Sequence, residues 1–551
     1  MLKDNKLFYP LAIFIIWLIT YILCQVFLQQ KLGWDEVSYL SQARGIVSDF
    51  DFSSRSYTIM GLLKHGYPTN LINFPVFSVF LSIFFKLFGV SLKISYFSSW
   101  LCALGVSLFI YYIFLLIQEN ENKSAFFLAM SYLFVPGILK TCDSAMMEQM
   151  GCLLLCISVY LLLSDYKKGK LTYLTAVKLA LSFLVLWLYK SLFIGFFFGA
   201  FVFILVTYNK KIAGKDIQTQ IPLPLFLGLS YGMFAVLFYL VKEFVFLPVA
   251  PMMNFTPDLE QKQLYADFLA GFFNDLPNNL FVNIKSFFRY VIVPFFIYPN
   301  AYTTPRSQFF VFVPHVIFNA ICFFIFFISF VLTFAYWEKL KSIEKAFCGL
   351  TLGTIISFNL IFNFLFSTTY ENMWRYNVYS LPLFLCYSAI ILKIHFSTYI
   401  KQFFVDHPLA SKAVVPFQIT FIWVPLFLSM LNAQLVLWDG YHDIAHKNAQ
   451  LVRFFLKEDR PKFIYLNDGS HTVFEDYPVR QVFKDATNEQ LLQVNKVLPE
   501  PVKYLFLKPS DWLFQNNKDF IVKGLPIIDN QYEFFGFNNE AQLVVYKLKS
   551  L

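Results

Sequence analysis

Two adjacent carboxylates, Asp35 and Glu36, stand in the stretch GWDEVSYLSQARGI (33–46), directly after the first long apolar run. Tyr39 follows Asp35 by four residues and Arg44 follows Glu36 by eight. A helix over this stretch therefore places each pair near one side. A carboxylate held at a bilayer surface can act as a general base, because burial and neighbouring charge raise its pKa toward the working pH. The alternative is a solvated acidic pair at a helix start, favoured there by the helix dipole. A second constellation, DGYHDIAH, sets Asp439, His442 and His446 together with the histidines four apart. It lacks the glutamate of a His-Glu-x-x-His zinc site and reads as an ordinary helix start, so no metal site is assigned.

The elements around these residues belong to a membrane. The chain has 551 residues, of which 58% are hydrophobic and only 14% charged, against about a quarter charged in soluble domains. Apolar runs recur from residue 8 to residue 438, each near the ~20 residues that span a bilayer as a helix. An outer-membrane barrel would need alternating segments of ~10 residues, which the sequence lacks. The first run, about 8–28, is too long for a signal peptide and no cleavage site follows it, so it reads as an uncleaved helix. The net charge of +9 sits largely in short loops between apolar runs and excludes a nucleic-acid surface. The eight cysteines lie within or at the ends of apolar runs and imply no disulfide framework. Cys152 and Cys156, four apart, read as small buried hydrophobes.

Lys/Arg bias sets the threading. The basic loops 167–170, 209–215 and 339–345 belong inside, together with the N-terminus. They can share that side only if FPVFSVFLSIFFKLFG (74–89) does not cross. Its Pro75, its Lys86 and its short length fit an interfacial helix. The fold class expected is a polytopic α-helical membrane protein of about eleven transmembrane helices plus interfacial helices. Spans fall near 8–28, 95–117, 124–141, 149–164, 174–189, 191–208, 222–248, 308–337, 346–367, 377–395 and 414–438. Outside loops cover about 29–94 and 249–307. The membrane domain is 1–438. The tail 439–551 reads as a small α/β domain on the outer face, with strands at KFIYLND (462–468), VKYLFLK (502–508) and AQLVVYKL (541–548), and a helix at NEQLLQVNKVL (488–498).

Five stretches resemble one family. The Asp-Glu-x-x-Tyr after the first span is similar to the hallmark of membrane glycosyltransferases of the GT-C type that use polyprenyl-phosphate sugars. These include the protein O-mannosyltransferases and the lipid A aminoarabinose transferases. FPVFSVFLSIFFKLFG resembles their Pro-led interfacial helix. CDSAMMEQMGCLLLCISVYLLL (142–163) places Glu148 where the family often has an acidic residue. WLYKSLF (187–193) is similar to their Thr-Lys-Gly, with Lys190 at the lysine. MWRYNVYSLPLF (373–384) resembles their Arg-Tyr entry to a late span, through Arg375 and Tyr376.

The resemblance implies an inverting transfer of a sugar from a polyprenyl-phosphate donor to a lipid, glycan or protein acceptor. Asp35 would be the base and Glu36 its helper. Tyr39, Arg44, Glu148, Lys190, Arg289, Arg306, Arg375 and Tyr376 would bind substrate, the cations facing the leaving phosphate. Snorkelling at a helix end is the competing reading of Lys190 and Arg375. No obligatory cofactor is expected. A divalent metal is left open, with Asp143 a rival for the role of Glu148. Two departures bear on the substrate: Phe74 stands where the aminoarabinose transferases carry a lysine, with Lys64 or His65 as substitutes, and Ser38 stands where they carry an arginine. The absence of a large lumenal insertion points to a bacterial inner membrane, with the site and tail facing the periplasm. The alternative function, a transporter or flippase of lipid-linked saccharide, predicts ionisable residues near mid-membrane, and the span centres hold few.

Overall fold

The computed structural model describes residues 7–27, 34–50, 56–58, 76–142, 147–169, 171–190, 193–209, 221–246, 313–360, 378–406, 463–466, 480–483, 500–507, 531–538 and 543–549, with a few residues between 493 and 498. Helices α1 (Phe8–Phe27), α2 (Trp34–Asp49), α3 (Val76–Phe88), α4 (Leu92–Ile117), α5 (Asn122–Leu133), α6 (Pro136–Cys142), α7 (Glu148–Lys167), α8 (Tyr173–Tyr189) and α9 (Ile194–Tyr208) follow in order. Then come α10 (Leu223–Leu227) and α11 (Met233–Leu240), joined by a π-helical turn Gly228–Gly232 and followed by another, Val241–Phe246. Helices α12 (Val313–Ala335), α13 (Ser342–Leu360) and α14 (Leu381–Asp406) complete the described bundle. Among the described residues five segments are long and apolar enough to cross a membrane, and the chain is a multi-pass membrane protein. The expected span 414–438 lies outside the described residues.

Side-chain contacts at one end of the bundle fix the threading. Gln118 Nε2 donates to Glu344 Oε1 at 2.8 Å, and Glu344 Oε2 accepts the Lys341 backbone N–H at 2.7 Å. Lys167 Nζ donates to the Leu116 carbonyl at 2.8 Å and pairs with Glu119, also at 2.8 Å. Lys393 pairs with Glu121 at 2.7 Å, and the Tyr166 hydroxyl donates to the Ser342 carbonyl at 3.3 Å. The turns after α4, α7 and α12 therefore share one end. The start of α1 lies there too, since Tyr9 packs against Tyr111 and Phe126. Because α1 leaves that end and α4 returns to it, α1 finishes and α4 begins at the opposite end, where α2 and α3 pack together. The acidic loop 118–121 sits among lysines from neighbouring turns, which is why it can share an end with basic loops.

The two ends are tied by pins and close approaches. Asp165 at the end of α7 accepts from Thr175 Oγ1 at 3.0 Å and from Lys178 Nζ at 2.8 Å, closing the α7–α8 hairpin. Thr172 and Thr175 form a reciprocal capping box at the start of α8. Small residues let α9 and α13 touch. A Cβ on Gly353 would stand 2.8 Å from the Gly199 Cα, and one on Gly199 would stand 2.5 Å from the Leu350 carbonyl and closer still to Thr354 Oγ1. In lipid, helix association depends on packing of this kind rather than on the hydrophobic effect. One expected element is broken: the span near 124–141 ends as α5 at Leu133 and restarts as α6 at Pro136. Proline has no N–H for the preceding turn and restricts the residue before it.

The tail supplies most of a six-stranded sheet. Its strands are β1 (Ser56–Thr58), β2 (Phe463–Leu466), β3 (Arg480–Phe483), β4 (Tyr504–Leu507), β5 (Tyr532–Asn538) and β6 (Leu543–Leu548), in the order β1-β3-β2-β4-β6-β5. β1, β3, β2 and β4 run parallel, while β6 is antiparallel to both β4 and β5. All four residues of β4 are buried, as in a strand covered on both faces. The Tyr532 hydroxyl donates to the Val502 carbonyl at 2.6 Å and accepts from Asn495 Nδ2 at 3.0 Å, and burial raises its pKa. β1 comes from the segment between α2 and α3, so this sheet is stitched to the same end of the bundle as α2.

The glycine contact gives a direct test. Gly199→Ala should cost about 1–3 kcal/mol, because backbone at Leu350 cannot yield as a flexible side chain would. Gly228→Ala, with no atom within 4 Å of its added Cβ, should cost nothing measurable. Denaturant unfolding of the detergent-solubilised variants compares the two, and equal midpoints would refute the close approach.

Candidate active site

The stretch with helical spacing around Asp35 is a helix, α2, and it lies along α3. The Ser78 hydroxyl donates to Gln42 Oε1 at 2.7 Å in a buried contact, and the Tyr39 and Phe77 rings meet edge to face at 5.4 Å. Leu40 and Ala43 are buried between them. From this platform Tyr39 reaches across 108 residues of sequence and donates its hydroxyl to Met147 Sδ at 3.0 Å. Asp35 and Glu36 stand on the first turn of the helix that this contact holds. Their side chains lie outside the described residues.

Met147 is a junction. Its carbonyl accepts the Tyr189 hydroxyl, and the next residue, Glu148, opens α7 with its side chain fully buried. A carboxylate there meets the positive end of the helix. Gln149 beside it is held from both sides: its Oε1 accepts from the Tyr132 hydroxyl at 2.8 Å and its Nε2 donates to Thr141 Oγ1 at 2.6 Å. These bonds lock the first turn of α7 against α5 and α6. Cys152, one turn on, donates weakly to the Val378 carbonyl at 3.4 Å, bringing in the 3₁₀ turn Val378–Ser380 that precedes α14.

Lys190 ends α8. Its backbone N–H closes on the Leu186 carbonyl, its φ and ψ are extended, and its ammonium lies 5.5 Å from the centroid of the Tyr379 ring. Tyr379 packs edge-on against Phe193 at 5.0 Å. A Cβ on Gly151 would stand 2.5 Å from Tyr379 and 3.0 Å from Tyr189. Only glycine in α7 lets both aromatic rings approach. Tyr39, Met147, Glu148, Tyr189, Lys190 and Tyr379 thus gather at one end of the bundle, the end to which α2 belongs. Such an arrangement offers a buried carboxylate and a half-buried cation beside an acidic helix.

Of the residues singled out from the sequence, Tyr39, Glu148 and Lys190 are brought together. Arg44 lies half-buried on α2, with its carbonyl accepting the Ser48 hydroxyl at 3.0 Å. Arg289, Arg306, Arg375, Tyr376, Asp143, Lys64, His65, Phe74, Asp439, His442 and His446 lie outside the described residues. Among the described residues no three His, Cys, Asp or Glu side chains are close enough to hold a metal. Sequence reading missed Met147, Gln149, Tyr189 and Tyr379. Their only local signal was adjacency to Glu148 and Lys190 and a place in the MWRYNVYSLPLF stretch.

No family model and no curated protein matches the sequence. Solved structures do. ArnT from Cupriavidus metallidurans bound to undecaprenyl phosphate superposes with a TM-score of 0.52 at 11% identity, over 98% of this chain and 98% of its own. ArnT in the apo state gives the same score and identity over 98% and 97%. The chain has the GT-C fold. At this identity the likeness carries the architecture alone. The Archaeoglobus fulgidus oligosaccharyltransferase tethered with an acceptor peptide is 13% identical over 99% of this chain and 74% of its own, with a TM-score of 0.48, below the level from which a shared fold follows.

The packing at the head of α7 is separable from the Tyr39 contact. Gln149→Leu leaves the buried Tyr132 hydroxyl and Thr141 hydroxyl each short of a partner and should cost about 1–3 kcal/mol. Tyr39→Phe removes one bond to a weak sulfur acceptor and should cost under about 1 kcal/mol. Unfolding midpoints rank the pair, and the reverse order would overturn this account of the junction.

Proposed function

We propose that this chain is an inverting glycosyltransferase that moves a sugar from a polyprenyl-phosphate donor to an acceptor presented at the outer face of a bacterial inner membrane. The observation that carries the reading is the convergence on Met147 and Glu148 of the helix bearing Asp35-Glu36 with the lysine that ends α8. These are three of the five stretches that resemble polyprenyl-phosphate-dependent enzymes, and a GT-C fold brings them to one end. The ArnT structure that this chain resembles holds undecaprenyl phosphate, a lipid of the donor class proposed.

In the reaction, the acceptor nucleophile attacks the anomeric carbon as the bond from that carbon to the phosphate oxygen breaks. Asp35 takes the proton from the acceptor and Glu36 orients it. Polyprenyl phosphate leaves with an added negative charge, and cations placed where that charge develops lower the barrier. Lys190 is assigned first to this task, Arg375 second, and Arg289 or Arg306 third. Tyr376 and Arg44 are assigned to substrate binding. Glu148, sealed from water behind Met147, is assigned to the sugar side of the donor, where a buried carboxylate can accept hydroxyl hydrogen bonds. The tail sheet, joined to the outer segment through β1, faces the same compartment. Transport of lipid-linked saccharide is less well supported: it calls for ionisable groups along a mid-membrane path, and the site groups described gather at one end.

The test is genetic and chemical. Wild type and Asp35→Asn are expressed in a host lacking the gene, and surface lipids, glycans and secreted proteins are compared by mass spectrometry. Wild type should add a sugar mass, and Asp35→Asn should reduce it by about 10²-fold or more. A modification undiminished in Asp35→Asn rules out the base assignment. Movement of lipid-linked substrate without any added mass rules out the transferase.

A further inference from the structure

The end of the bundle opposite α2 carries a second constellation that the transfer reaction does not use. Where α12 leaves the membrane, the Lys339 ammonium lies 4.8 Å from the centroid of the Tyr336 ring, and the His395 ring of α14 lies 4.7 Å from the same centroid. Lys339 Nζ and the His395 ring are therefore at most 9.5 Å apart, the sum of those distances. A phosphate accepting a charge-assisted bond on each side spans about 8 Å, with ~2.8 Å for each bond. His395 Nε2 is shielded from solvent and has no hydrogen-bond partner among the described residues, a condition that asks for an occupant.

Several neighbouring charges are otherwise committed. Glu344 spends one carboxylate oxygen on Gln118 and the other on the Lys341 backbone. Lys345 pairs with Glu338 at 3.8 Å and covers the Trp337 ring at 5.8 Å. Lys167 and Lys393 are held by Glu119 and Glu121. Lys339 has no carboxylate within ion-pair distance among the described residues. Leading up to Tyr336 on α12 is an exposed stripe of Phe324, Phe327, Val331 and Phe334, which recurs at three- and four-residue steps on one helix face. Tyr336 is itself 40% exposed.

We infer that Lys339 and His395 bind the phosphate of an anionic membrane lipid, whose acyl chains lie along the Phe324–Phe334 stripe. A cation and an imidazole N–H donate to the phosphate oxygens. The Tyr336 ring contacts both groups, and the apolar stripe below fits a hydrocarbon tail. This favours a lipid over a free ion, which would have no use for the stripe, and over a second copy of the chain, which would have to supply the anion.

Native mass spectrometry of the full-length protein, released from nanodiscs of phosphatidylcholine containing a minor fraction of phosphatidylglycerol, tests the site. Wild type should retain phosphatidylglycerol in preference to phosphatidylcholine. Lys339→Gln and His395→Gln should each lower that retention about tenfold, the cost of losing one hydrogen bond to a charged group. Lys339→Arg should keep it, and Lys167→Gln should leave it unchanged. Lys339 lies in an exposed turn, so its variants test the site even if His395→Gln fails to fold, which circular dichroism reports. Equal retention by Lys339→Gln overturns the proposal. So does displacement of the lipid by inorganic phosphate, which would make the ligand a soluble anion, or a dimer that loses its interface in the same variants.

Discussion

In a bilayer there is no water to satisfy a polar group left between helices, and the arrangement of this bundle follows from that. Among the described residues its ion pairs lie toward the helix ends. At one end the turns after α4, α7 and α12 are laced together by Gln118, Glu119, Glu121, Lys167, Glu344 and Lys393. These contacts are single hydrogen bonds and partly exposed ion pairs, each worth little alone. Their joint effect is positional. They hold α4, α7, α13 and α14 in register at that end, and toward the other end α7 begins with Glu148 and α14 is preceded by Tyr379.

Between the ends, packing carries the load. The apolar effect that drives soluble cores is absent among helices in lipid, so contact area and close approach decide which helices neighbour each other. Gly199 against Gly353 brings α9 onto α13, and Gly151 admits the rings of Tyr189 and Tyr379 beside α7. The second of these approaches belongs to the site as much as to the scaffold: the ring that fills the space over Gly151 is the ring against which Lys190 rests.

Periodicity and charge made much of this legible. The spacing of Asp35, Tyr39 and Arg44 fits the helix observed over Trp34–Asp49, and the lysines of 167–170 and 339–345 belong to turns that meet through Glu119 and Glu344. Three runs of β-branched and aromatic residues in the tail contain β2, β4 and β6. Other features had no local signal. β1 is three residues long and exists because β3, more than 400 residues later, offers it an edge. β5 is interrupted by a register shift between Phe534 and Gly536 that hides its alternation. The π-helical turns around α11 depend on hydrogen-bond register rather than residue type. The break between α5 and α6 was visible as Pro136 but hidden in an otherwise continuous apolar run.

The site itself shows the same division. Glu148 and Lys190 could be picked out because their stretches resemble those of the polyprenyl-phosphate-dependent glycosyltransferases. Met147 could not, since a methionine in a membrane helix is unremarkable as a letter. Yet its sulfur takes the Tyr39 hydroxyl and its carbonyl takes the Tyr189 hydroxyl, so one residue joins α2 to α8 at the head of α7. A flexible thioether suits that place. Its three rotatable bonds let it adapt to the position of the Tyr39 hydroxyl, whereas the Tyr189 bond fixes the Met147 carbonyl at the head of α7. The head of α7 is thus tied to α2 through a soft side-chain link and to α8 through its backbone.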